Sequence, residues 1–158
     1  MVNNTFLLLG DQLFDPKILK HQGCKRVFMA EDYGLCTYEK HHKLKIYLYL
    51  CAMREYKEEL ERNGIQVDYF SLEARSDDKT YIEFLVEFLH EKKIDRVDIF
   101  EIENKSFEKN ILAALEKAEI KYELFETPMF LFSRKEFGSL YGKNKSFRLG
   151  NFYKVGRK

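Results

Sequence analysis

Thr5-Phe6-Leu7-Leu8-Leu9-Gly10-Asp11-Gln12 decides the architecture. The apolar run after Thr5 is too short for a core helix and has no polar residue at every second position, so it reads as a strand buried on both faces. Gly10-Asp11-Gln12 closes it with turn chemistry. Working outward, the same kind of segment recurs at residues 26–30, 66–72, 96–102 and 121–125, and helical patterns fill residues 38–62, 79–92 and 107–118. Asn63-Gly64 supplies the stop for the longest of these helices. Strands alternating with helical crossovers imply a mainly parallel sheet covered on both faces. The simplest doubly wound strand order for five strands is 3-2-1-4-5.

The 158 residues fit one domain, with 45% hydrophobic and 34% charged residues, an ordinary globular balance. Twenty-seven basic against 26 acidic residues leave +1, so no global field draws the chain to nucleic acid. The first residues lack a basic segment, and Asp11 interrupts the apolar run too early for a signal peptide. With no span of roughly 20 apolar residues, the expectation is a cytoplasmic protein without membrane contact. Cys24, Cys36 and Cys51 form no Cys-x-x-Cys and read as reduced thiols, and Cys36 with His41 and His42 falls one ligand short of a zinc site.

On the long helix Ile46, Leu50, Met53 and Leu60 share one face, and Leu44, Leu48 and Cys51 lie opposite. A helix resting on a sheet needs one apolar stripe, so its first half calls for cover on a second side, from a loop, the tail or another domain. In the second helix Ile82, Leu85, Val86 and Leu89 make the core stripe, with Phe84 and Phe88 off it. Ser133-Arg134-Lys135-Glu136 has capping-box spacing and opens a short helix. Beyond it every charged residue from Lys143 to Lys158 is basic, and no further helix or strand is expected to close the chain.

Ligands of open parallel sheets bind beyond the carboxyl ends of the strands, where the winding reverses. The residues delivered there are Gly10, Asp11 and Gln12 after strand one, Glu31 and Asp32 after strand two, and Glu101 and Glu103 at strand four. Their carboxylates and amide suit a neutral polar heterocycle or sugar better than a phosphate. Tyr38, His41, His42 and Lys45 start the long helix, His41 sharing a face with Lys45 and Tyr38 with His42. The chain carries no G-x-G-x-x-G, P-loop or G-x-S-x-G motif and no nucleophile–base pair, which argues against a small nucleotide-binding or hydrolytic enzyme.

Ordered segments along the whole chain resemble one family. These are Leu7-Leu8-Leu9-Gly10-Asp11-Gln12-Leu13, Met29-Ala30-Glu31, Tyr38-x-x-His41-His42-Lys43-x-Lys45-Ile46, Ala52-Met53-Arg54-x-Tyr56, Phe130-Leu131-x-Ser133-Arg134-x-x-Phe137 and Asn151-Phe152-Tyr153-Lys154. They are similar to the N-terminal domain of the deoxyribodipyrimidine photolyase-related proteins, of bacterial cryptochrome or prokaryotic 6-4 photolyase type. The resemblance implies a Rossmann-like antenna domain over residues 1–132 and a helical basic extension over 133–158. That extension would lead to a C-terminal FAD-binding helical domain, the partner that carries FAD and an iron–sulfur cluster and reaches DNA in the full-length protein. It further implies an antenna chromophore such as 6,7-dimethyl-8-ribityllumazine, with Gly10, Asp11, Gln12, Glu31 and Tyr38 as contacts, no metal, and no catalysis by this domain alone. Two departures stand out. Leu35 occupies the place of an acidic residue found in lumazine-binding members, and Glu101-Ile102-Glu103 replaces a frequent Glu-Pro. The competing reading is a free-standing interaction or nucleic-acid-binding module of the same fold.

Overall fold

The computed structural model describes residues 3–75, 78–141 and 149–157. Five strands form one parallel sheet: β1 (Asn4–Leu7), β2 (Arg26–Ala30), β3 (Gln66–Phe70), β4 (Arg96–Phe100) and β5 (Lys121–Phe125), in the order β3-β2-β1-β4-β5. The expected topology is the one observed. The first strand is shorter than its apolar run, although the Leu8 amide still donates to the Phe28 carbonyl at 3.1 Å.

Successive side chains of a strand point to opposite faces, and this chain builds a core on each. Leu7, Leu9, Phe28, Ala30, Val97 and Ile99 pack beneath α4 (Tyr81–Glu91) and α5 (Lys105–Lys117), meeting Leu85, Leu89, Ile111 and Leu115. Phe6, Leu8, Val27, Met29 and Phe100 pack beneath α1 (Pro16–His21) and α3 (Lys43–Arg62), meeting Leu19, Met53, Tyr56 and Leu60. The aromatic residues weigh more in the first core than the helical stripe suggests. Phe88 is buried and Phe84 half-buried, both against Phe28 and Phe70, because their rings reach past the Leu85–Leu89 stripe to the sheet.

Helix boundaries follow capping. Asp15 accepts from the Lys17 amide at 2.9 Å and Pro16 occupies the first turn, creating α1, a helix the apolar pattern does not announce. The helix expected over residues 38–62 begins later, at Lys43, and a short helix forms ahead of it in residues expected to be a loop. Asp32 accepts from the Leu35 amide at 2.7 Å and opens α2 (Tyr33–Thr37), whereas the His42 imidazole accepts from the Leu44 amide at 3.2 Å and opens α3. Tyr38, His41 and His42 therefore lie on the connection rather than on a helical face. At the far end Gly64 adopts φ +77°, the left-handed value its missing Cβ permits, and releases the chain into β3. Thr80 and Glu83 form a capping box at α4, and a short 3-10 turn, Leu72–Ala74, precedes it. Leu44, Tyr47 and Leu48 on α3 are 64%, 68% and 65% exposed.

The chain divides into two units, Met1–Phe125 and Glu126–Lys158. In the second, Ser133 and Glu136 make the expected capping box, the Glu136 amide donating to Ser133 Oγ at 3.1 Å, and α6 (Arg134–Tyr141) follows. A further helix, α7 (Leu149–Gly156), forms where the residue pattern announced no closing helix or strand. Phe152 packs against Phe132 and Phe137, with ring centroids 4.9 and 5.8 Å away, so α7 has an apolar reason to form. Lys143, Lys145 and Arg148 of the basic run lie outside the described residues.

Candidate functional site

A cavity of about 480 Å³ opens beyond the carboxyl ends of β1, β2 and β4, entirely within the α/β unit. This is the topological switch of the sheet, since β1 leads to β2 on one side and pairs with β4 on the other. Gly10 and Asp11 enter from β1, Ala30, Glu31 and Asp32 from β2, and Ile102 and Asn104 from β4. The first turns of α5 contribute Ser106, Phe107 and Asn110. Leu35 and Cys36 of α2, then Tyr38, His41, Lys45, Ile46, Tyr49, Leu50 and Met53, form the opposite wall. The volume is in the range of small-molecule sites, as is the mixture of apolar walls with few polar groups.

The expected contacts divide sharply. Gly10, Asp11, Glu31 and Tyr38 line the cavity. Gly10 has a steric reason: a Cβ there would fall 2.7 Å from Met53 Sδ, so any side chain at this position would force Met53 to shift. Asp11 stands at the rim, where loss of hydration raises its carboxyl above the ordinary value, against the opposing hydrogen bond from its own backbone. Tyr38 is exposed, its ring edge-on to His41 at 5.5 Å. Gln12 is absent from the lining. It is 2% exposed and spans the ends of two strands, accepting from the Leu9 amide at 3.4 Å and donating to the Glu101 carbonyl at 3.2 Å. Glu101 and Glu103 are likewise outside the lining, and the residues between and after them, Ile102 and Asn104, take their place.

Glu31 has a second occupation. Its side chain is fully buried, and both carboxylate oxygens are engaged: Arg54 Nε at 2.6 Å and the Tyr69 hydroxyl at 2.6 Å on one, Arg54 Nη2 and the Leu72 amide at 2.9 Å on the other. Burial opposes its charge, yet the bonds from Arg54, Tyr69 and Leu72 outweigh burial and hold the carboxyl below its ordinary range. Asp32 is similarly committed, to the Leu35 amide and to Arg75, whose guanidinium also donates to the Glu31 carbonyl at 2.7 Å and lies over the Phe84 ring at 4.6 Å. Glu31 and Asp32 thus shape the wall. The ionisable side chains that line the interior without such commitments include Asp11 on the sheet side and His41 and Lys45 on the helix side.

The separated motifs of the sequence explain one another here. Glu31 after β2 is held by Arg54 of α3, Met53 packs against Gly10, and the Tyr56 hydroxyl donates to the Phe14 carbonyl at 2.6 Å. Sequence reasoning missed Tyr81, Asn104, Ser106 and Asn110. For Asn104 a signal was present: an Asn three residues before Phe107 is a helix cap, and its side chain does accept from the Phe107 amide at 3.1 Å.

The deoxyribodipyrimidine photo-lyase-related protein family model matches residues 6–158. The chain belongs to this family. Comparison with curated proteins finds no match. The match runs through both units, so the photolyase-related assignment covers the α/β sheet, its cleft and the two short helices alike.

Proposed function

We propose that this photolyase-related chain is the antenna-chromophore-binding part of a light-dependent DNA-repair flavoprotein and is not catalytic by itself. The observation that carries the reading is the 480 Å³ cleft at the sheet's switch point in a chain of this family. Its aromatic and aliphatic walls, from Leu35, Tyr49, Leu50 and Phe107, fit a planar heterocycle, and Asp11, Ser106 and Asn110 offer hydrogen bonds to a polyol chain. A ribityllumazine such as 6,7-dimethyl-8-ribityllumazine has this chemistry, and would supply light absorption when bound. Gly10, Asp11 and Tyr38 are its contacts in this reading, Glu31 acts through the wall it anchors, and Gln12 through the strand ends it ties. Leu35 where related lumazine binders carry an acid removes one acceptor and favours a less polar chromophore. FAD is a poor fit to this cleft: two phosphates would meet the Asp11 carboxylate and find no glycine-rich loop. In this reading FAD and the iron–sulfur cluster reside in a helical partner domain, which also contacts DNA.

The test is a fluorescence titration of the chain with 6,7-dimethyl-8-ribityllumazine, alongside Asp11→Ala. Saturable binding that weakens at least several-fold in the variant is expected. Unchanged binding by Asp11→Ala would remove Asp11 from the site, and no binding by the parent chain would overturn the reading.

Exposed Leu44, Tyr47 and Leu48 favour a second reading, an interaction module that docks this face of α3 on another protein or nucleic acid. Its nucleic-acid version predicts salt-sensitive DNA affinity by the isolated chain, and flat titrations from low to physiological salt would dismiss it.

A further inference from the structure

We propose that the outward face of α3 is a self-docking surface, on which a second copy of this chain lies antiparallel about a two-fold axis between Tyr47 and Leu48. The pairing does not depend on what the cleft binds. On a helical projection, Leu44, Tyr47, Leu48 and Cys51 lie away from Met53 and Leu60, which pack on the sheet. All four stand exposed. A contiguous apolar row in water, edged by charge, marks a contact surface.

The charges at the two ends of the row identify the occupant. Ahead of it, residues 39–45 set Lys40, Lys43 and Lys45 against Glu39, and the first turn of α3 holds no acid. Lysines there stand beside the positive end of the helix dipole, where cations are unfavourable. Beyond the row the same face continues with Glu55, Glu58 and Glu59 against Arg62. The other charges of this half are taken: Arg54 by Glu31 at 2.6 Å and Glu73 at 3.6 Å, and Lys57 by Glu61 at 3.0 Å. Lys40, Lys43, Glu55 and Glu58 are exposed and make no ion pair among the described residues. One face is therefore basic at its start, apolar in the middle and acidic beyond. Its complement is the same face running the other way.

The apolar row sets the register. Its midpoint falls between Tyr47 and Leu48, so a two-fold there brings Tyr47 to the Leu48 of the second copy and Leu44 to its Cys51. Glu55 then falls beside the entry to the other α3, within side-chain reach of Lys43 and facing its amino-terminal dipole. The symmetry repeats each pair, so both basic starts and both acidic halves are satisfied together. A slip of one turn in either direction sets Leu44 against Glu55 or Leu48 against Lys43. The row covers about two turns, which places the contact at the small end of protein interfaces and makes the dimer weak and reversible.

Charge reversal tests the occupant and the register together. The full chain is compared with Lys40→Glu/Lys43→Glu, Glu55→Lys/Glu58→Lys and Leu48→Glu by sedimentation velocity over a concentration series, with circular dichroism to check folding. The average mass of the parent is expected to climb with concentration from 19.0 kDa toward twice that value. Each charge-reversed chain alone should associate at least about tenfold more weakly, because like charges then meet at both ends. Their equimolar mixture should regain the affinity of the parent, since every cross-pair is again opposite in sign. Leu48→Glu should stay monomeric. A parent that remains monomeric throughout would overturn the proposal, as would a Leu48→Glu chain that associates like the parent. Reversed chains that pair alone as well as the parent, or a mixture that stays monomeric, would also overturn it.

Discussion

Replacing Glu31 with alanine removes the one acceptor shared by Arg54, Tyr69 and the Leu72 amide, and the structure gives the means to size the effect. Removing one partner of a buried ion pair costs about 3–5 kcal/mol. Arg54 is half-exposed and regains water, which discounts its share. The Tyr69 hydroxyl and the Leu72 amide each lose a hydrogen bond, about 1–3 kcal/mol apiece where water cannot replace it. The net expectation is about 3 kcal/mol, or a melting temperature lower by about 12 °C for a unit of this size. Glu31→Gln keeps the volume but turns an amide donor toward other donors, and is expected to cost about 2 kcal/mol. Urea unfolding at pH 7, followed by far-ultraviolet circular dichroism, measures both. The pH dependence adds a second handle. The folded Glu31 carboxyl is held below its ordinary value, so its stabilisation is complete above an unfolded glutamate value of about 4.3. It is lost as pH falls through the lower folded value. The gap between the parent and Glu31→Gln should therefore close below about pH 4. A Glu31→Ala chain within about 0.5 kcal/mol of the parent, smaller than any single term above, would refute the reasoning, as would a gap that does not change from pH 5 to pH 3.

Two further outcomes are expected. Gly10→Ala drives a Cβ to 2.7 Å from Met53 Sδ. Overpacking of this kind costs about 1–2 kcal/mol, and because Met53 also lines the cavity, lumazine titration should show weaker binding together with the lower urea midpoint. Among the thiols, exposed Cys51 should react with Ellman's reagent in seconds, whereas Cys24, buried and with its thiol pushed up to about 12 mainly by burial, should react only on unfolding. Equal rates for all three cysteines would contradict the core assignment.

The fold was largely legible because its signals are local. The central strands β2, β1 and β4 are mainly apolar and buried, the edge strands β3 and β5 mix apolar with polar and charged residues and are more exposed, and the chain order of such runs leaves few ways to wind five parallel strands. Where reading failed, a cap competed with periodicity. Asp32 caps a short helix in what reads as a loop, His42 moves the start of the long helix to Lys43, and Asp15-Pro16 starts a helix too short to show a stripe. At the end of the chain, Phe132, Phe137 and Phe152 give α7 a packing partner that no local pattern contains.

The cleft was legible in position but not in chemistry. By itself the sequence determined the parallel sheet, its switch point, and that Gly10, Asp11, Glu31 and Tyr38 would gather near it. Tertiary structure alone decided what those side chains are free to do. Glu31 and Gln12 are polar residues of the kind that bind ligands, yet one is closed by Arg54 and Tyr69, 23 and 38 residues away along the chain, and the other by the Leu9 amide nearby and the Glu101 carbonyl 89 residues away. Hydrogen-bond satisfaction is a property of three-dimensional neighbours, so it separates the groups that hold the wall from the groups that remain to meet a ligand.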